Sequence, residues 1–169
     1  WQGGQLTDRG IGELLAKCPI NGLQIDDAPL VTDSVAPAIA ARKDMMELYL
    51  NGTGITDAST VHFARMPKVW SFCANGTALS DASLLRLGAM PELSLLHLSS
   101  TRIVGDGMSA LAGLKRIDVY LASCKLSDKG LGSSISTMKN LVRFDVSDNN
   151  IGDAAFAGIR FVDAHDLVA

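Results

Sequence analysis

Cys73 and His97 are the two residues of this 169-residue chain whose meeting would matter most for chemistry. A thiol beside an imidazole can serve as a nucleophile with its base, or as two ligands of one metal ion. Each is the middle residue of an alternating triplet, Phe72-Cys73-Ala74 and Leu96-His97-Leu98, and Gln24, Tyr49, Tyr120 and Asp145 hold the same place in four further triplets. Alternation of this kind marks a strand buried on one side, and parallel neighbours lie about 4.8 Å apart, which puts the two side chains within reach. Against catalysis, a strand face is open and shallow and no oxyanion donors are recognisable. Against a metal, the third ligand would have to come from Tyr or Asp. The pair is therefore read as no enzyme centre, with neither metal nor other cofactor.

The elements that position these triplets recur. Leu6, Leu30, Ile55, Leu79, Ile103, Leu126 and Ile151 are separated by 24, 25, 24, 24, 23 and 25 residues, the mark of a repeat array. Asp8, Asp33, Asp57, Asp81, Asp106, Asp128 and Asp153 follow them by two or three places, where a carboxylate is expected to cap a short helix. Ile11/Leu14, Leu84/Leu87, Met108/Leu111 and Phe156/Ile159 then step by three, as on one helical face, and Pro19, Pro67 and Pro91 end the helices before the next strand. A corner after each strand leaves inward backbone groups needing partners, and Thr53, Thr77, Thr101, Cys124 and Asn149 stand there; Ala28 offers none, making its unit the loosest.

Met45-x-x-Leu48-x-Leu50-x-x-Thr53-x-Ile55 and its copies resemble the leucine-rich repeat, with Ile55-Thr56-Asp57 and Ala16-Lys17-Cys18-Pro19 similar to the cysteine-containing class of F-box substrate receptors. The resemblance implies an α/β solenoid: a curved parallel sheet lining a concave face, with short helices or turns on the convex face. It implies one domain over 1–169, a partial repeat at 1–19 and about six repeats starting near 20, 45, 69, 93, 116 and 141, cut from a longer protein. Family members usually carry Asn at the corner, so Thr and Cys imply fewer hydrogen bonds per rung. The function implied is protein or peptide binding, with a ubiquitin-ligase substrate receptor or a secreted recognition protein as alternatives.

Composition narrows the partners. Fifteen basic and eighteen acidic residues, without a basic run, argue against nucleic acid, and no apolar stretch approaches the 18 or so residues of a membrane span. Cys18, Cys73 and Cys124 are an odd number with no close pair, which favours a reducing, cytoplasmic setting. Asn51-Gly52-Thr53 and Asn75-Gly76-Thr77 are formal glycosylation sequons, but their recurrence at the repeat period reads as a corner rather than a hairpin or a glycan site. Residues 145–153 have the composition of a calcium loop, yet Ile159 stands where a bidentate Glu is needed. His62 and His165 read as surface residues, and the row Met46, Trp70, Ile117, Val142 as core.

Side chains two apart on a strand point the same way. Glu47-Tyr49-Asn51, Ser71-Cys73-Asn75, Leu95-His97-Ser99, Asp118-Tyr120-Ala122 and Arg143-Asp145-Ser147 therefore form an outward grid. Its centre holds Tyr49, Leu95, His97 and Tyr120, and its rim holds Glu47, Asp118, Arg143 and Asp145. Anchors inside a polar rim are what a protein interface requires, and no small-molecule substrate is expected.

Overall fold

The computed structural model describes residues 5–157, so Ile159, His165 and the tail beyond them lie outside the described residues. Six short strands, β1 (Gly22–Gln24), β2 (Glu47–Tyr49), β3 (Ser71–Cys73), β4 (Leu95–His97), β5 (Ile117–Tyr120) and β6 (Leu141–Asp145), form one parallel sheet in chain order. Between them the chain returns through α1 (Asp8–Lys17), ahead of β1, then α2 (Ala36–Ala40), α3 (Asp57–Phe63), α4 (Asp81–Leu87) and α5 (Asp128–Ile135), with 3-10 turns at Asp33–Val35, Met108–Gly113 and Asp153–Phe156. Each strand pairs with the next in sequence, giving the alternating strand and return arrangement of a solenoid.

The inward residues of the strands stack on the helix faces. Leu23, Leu48, Phe72, Leu96 and Val119, with Ile25, Leu50, Ala74, Leu98 and Leu121, make one continuous core row that Leu84, Leu87, Met108 and Leu111 close from the return side. Phe63 and Phe72 meet in this core with ring centroids 5.9 Å apart. Phe144 and Val146 on β6 are only half-buried, so the core thins there.

The strands run on into corners that keep the parallel pairing. Asp27, Gly52, Gly76, Ser100, Ser123 and Asp148 all take positive φ, between 53° and 66°. The amides of the first five hold the next unit, as in Gly52 N–H to Asn75 O at 2.8 Å and Gly76 N–H to Ser99 O at 2.9 Å. The two Asn-Gly pairs are thus corners, with glycine supplying the left-handed residue. A Cβ on Gly52 would stand 2.8 Å from Asp27 Oδ1.

Three sequence expectations change. Leu30 is 49% exposed while Val31 is fully buried, so the repeat position belongs to Val31. Thr32 N–H and Oγ1 bond Asp8 as Thr56 N–H and Oγ1 bond Asp33, which aligns Val31 with Ile55. Met46 and Val142 are exposed and Trp70 half-exposed, leaving only Ile117 of that row in the core. Ile117 is drawn in because β5 carries a register shift between Ile117 and Asp118. Phe156 is 38% exposed and the fully buried Ala155 fills its expected place.

The aspartates also act differently. Thr32, Thr56, Ser80 and Ser127, one residue earlier, provide the helix caps through their side-chain oxygens. The carboxylates of Asp8, Asp33, Asp57, Asp81 and Asp128 instead reach into the following unit. Asp33 accepts from Thr56 N–H (2.8 Å), Thr56 Oγ1 (2.6 Å) and Ser59 N–H (3.2 Å). Asp57 accepts from Ser80 N–H, Ser80 Oγ and Ser83 Oγ. Asp81 accepts from the amides of Val104, Gly105 and Gly107. Burial raises the carboxyls of Asp33 and Asp57, but these hydrogen bonds outweigh it and hold both below their ordinary value.

Candidate functional site: the outward strand face

The sheet register places Gln24, Tyr49, Cys73, His97, Tyr120 and Asp145 opposite one another on consecutive strands. Glu47, Ser71, Leu95, Asp118 and Arg143 form a parallel row, again partner to partner. All the named face residues except the exposed Arg143 and the buried Ser71 are half-buried or, for Gln24 and Ser147, exposed. Ser71 lies under the face and donates from Oγ to the Tyr49 hydroxyl at 3.2 Å.

Polar side chains along the third row tie strand to strand. Asn51 Nδ2 donates to Asp26 Oδ1 at 2.7 Å, Asn51 Oδ1 accepts from Asn75 N–H at 2.9 Å, and Asn75 Oδ1 accepts from Ser99 N–H at 2.7 Å. Ser99 Oγ accepts from Ala122 N–H at 3.2 Å. Both sequon asparagines therefore have a structural use, at one margin of the face. Asp26 belongs to this row but was invisible in the grid read from sequence, although its place before Asp27 matches Asn51 before Gly52.

The Cys73 and His97 neighbours do not form an activated pair. Burial, with the charges of Asp26 and Glu47 adding to it, pushes the Cys73 thiol up to about 11. His97 is lowered by burial, against the opposing pull of Asp118 and Asp145, and its ring stacks on Tyr120 at 4.1 Å with planes 7° apart. At neutral pH the thiol is protonated and the imidazole neutral, the reverse of what a thiolate nucleophile needs. No group of three or more His, Cys, Asp or Glu residues is arranged to hold a metal among the described residues.

Corner residues hold the face in register from behind. Thr53, Thr77 and Thr101 each donate from Oγ1 to the carbonyl three residues earlier, at 2.8, 2.7 and 2.7 Å. Asn149 does more: its Nδ2 reaches Leu121 O of the preceding unit at 2.8 Å and Val146 O of its own at 3.0 Å, while its Oδ1 accepts from Leu126 N–H. Among the threonine corners the side-chain bond to a carbonyl stays inside its own unit. Arg42 was also missed by sequence reading; it binds the carbonyls of Leu15, Cys18 and Ile20 at 2.7 to 3.0 Å and so closes the end of α1.

A leucine rich repeat family model matches residues 137–155, the segment that contains Asn149. No curated protein matches the chain. Among solved structures, a plant ice-binding protein superposes with a TM-score of 0.58 at 19% identity, covering 84% of this chain and 44% of that one. A TDR receptor gives a TM-score of 0.47 at 19% identity, covering 76% of this chain and 23% of that one. The chain thus spans less than half the length of either. Strand, corner and return recurring in one register, with the family match on one such unit, define a leucine-rich-repeat-like solenoid arrangement.

Proposed function

We propose that this chain is one leucine-rich-repeat domain that binds a protein or peptide through its strand face, with the sheet curved so that this face is concave. The observation that carries the reading is the in-register row Tyr49, Cys73, His97, Tyr120, flanked by Glu47, Leu95, Asp118, Arg143 and Asp145. Six strands at about 4.8 Å give a face about 24 Å across, a match for a protein surface rather than an enclosed small molecule. Two aromatic rings and a leucine supply anchors, and Asn51 and Asn75 are held at the margin by their own bonds. The raised Cys73 thiol supports binding over catalysis.

An alanine scan tests this against any isolated partner. Tyr49→Ala and Tyr120→Ala are expected to weaken binding by more than about 1 kcal/mol each, with circular dichroism unchanged. Losses that map instead to Arg65, Arg86 or Lys129 on the return side overturn the reading.

A further inference from the structure

The outward rows of the sheet carry Asp26, Glu47, Asp118 and Asp145 against one fixed cation, Arg143. These five carry a formal charge of −3, while the chain's remaining fourteen basic and fourteen acidic residues cancel in number. The acids are not spread evenly. Asp118 is 13% exposed and answered by Arg116 at 3.6 Å, and Arg143 is its partner in the register. Asp26 and Glu47 both act on Cys73, beside Tyr49, and the Glu47 carboxylate has no hydrogen bond or ion pair among the described residues. Asp145 pairs in register with Tyr120, whose ring stacks on His97, and its hydrogen bonds come from Ser147, the N–H at 3.0 Å among them.

Two places thus combine an aromatic surface with an unneutralised carboxylate: Tyr49 with Glu47 and Asp26, and the His97–Tyr120 stack with Asp145. Such a combination suits a guanidinium or ammonium, which gains from the ring face and from the charge together. They lie three strand steps apart, about 14 Å, and an extended chain rising about 3.4 Å per residue brings residues four apart to that spacing on one side. Resting on the strand-face reading, we propose that the partner presents an extended basic segment whose two cationic side chains, four residues apart, seat at Tyr49/Glu47 and at Tyr120/Asp145.

The test titrates the nitrogen-15-labelled 169-residue chain with ten-residue glycine–serine peptides bearing two arginines four apart, two arginines three apart, or two glutamates four apart. The first is expected to give saturable NMR shifts on β2 and β5, at least about fivefold tighter than the second, with no saturable binding of the third. Glu47→Gln and Asp145→Asn should each weaken the first by about threefold or more, while Glu13→Gln and Glu92→Gln, equal charge changes off the face, should not. Binding that ignores arginine spacing, or falls equally with Glu92→Gln, overturns the proposal, as do shifts confined to α3 and α4. If a protein partner is lost with Tyr49→Ala and Tyr120→Ala while the arginine peptide does not bind, the strand face stands as the interface and this inference alone fails.

Discussion

On the return side, Asp33, Asp57 and Asp81 each commit their carboxylates to amides and hydroxyls of the following unit, whereas on the strand face Glu47 and Asp145 make no such bond to a neighbouring unit. The same residue class thus does two jobs. Where a carboxylate accepts three donors at once, its removal strands buried polar groups; where it faces outward with few partners, its removal changes chiefly what the face attracts. On the proposed reading, the carboxylates that bind unit to unit and those that attract a partner lie on opposite sides of one stack.

The sharpest way to break this contrast is Asp57→Ala. Ser80 and Ser83 lose their shared acceptor, and unfolding free energy should drop by about 2 to 3 kcal/mol in a chemical melt. Glu47→Ala should leave the same melt unchanged within about 0.5 kcal/mol. The pH dependence follows from the lowered Asp33 and Asp57 carboxyls. Their stabilisation is complete above the unfolded value near 4 and is lost as pH falls through the lower folded values, so Asp57→Ala should flatten the acid limb.

Thr77→Val probes the corner between the two sides. It keeps the shape but leaves Ala74 O without its 2.7 Å donor, and a loss of about 1 to 2 kcal/mol is expected. A neutral result would mean that the corner is solvated. Tyr120→Ala should cost less than about 1 kcal/mol of stability, since the ring rests half-buried on His97. Burial lowers His97, so its neutral form is favoured in the folded state; stability is unaffected above about pH 6.5 and declines as pH falls toward the lower folded value.

The smallest effect concerns Cys73. A thiol at about 11 has roughly 100-fold less thiolate near neutrality than one at 9, so alkylation at pH 8 should lag far behind a free cysteine. Rapid labelling near pH 6, abolished by His97→Ala, would restore the enzyme reading.

The period, the strand triplets and the outward row were legible because burial on one side of a strand imposes strict alternation, and a slip of one residue would bury Tyr49 and expose Leu48. The Leu30-Val31 pair was not, because both residues are apolar and the choice is made by the Asp8 bonds to Thr32 N–H and Oγ1, both 2.6 Å. The aspartate bonds between units were hidden for a related reason: an Asp at a helix start reads as a local cap, and its true donors lie 23 or more residues ahead. Met46 and Trp70 misled because hydrophobicity suggests core, although Met45 and Val69 beside them already fill the inward positions. The charge asymmetry of the face needed the structure, since Asp26 joins it through the bonds from Gln24 and Asn51.

The return side has a rival surface in Val61 and Leu85, 41% and 64% exposed and in matching places on α3 and α4. Side-chain footprinting of the complex by hydroxyl radicals weighs the two directly. Binding through the strand face predicts that Tyr49, His97 and Tyr120 lose reactivity while Val61 and Leu85 keep it; protection of Val61 and Leu85 with Tyr49 and Tyr120 unchanged would contradict the account.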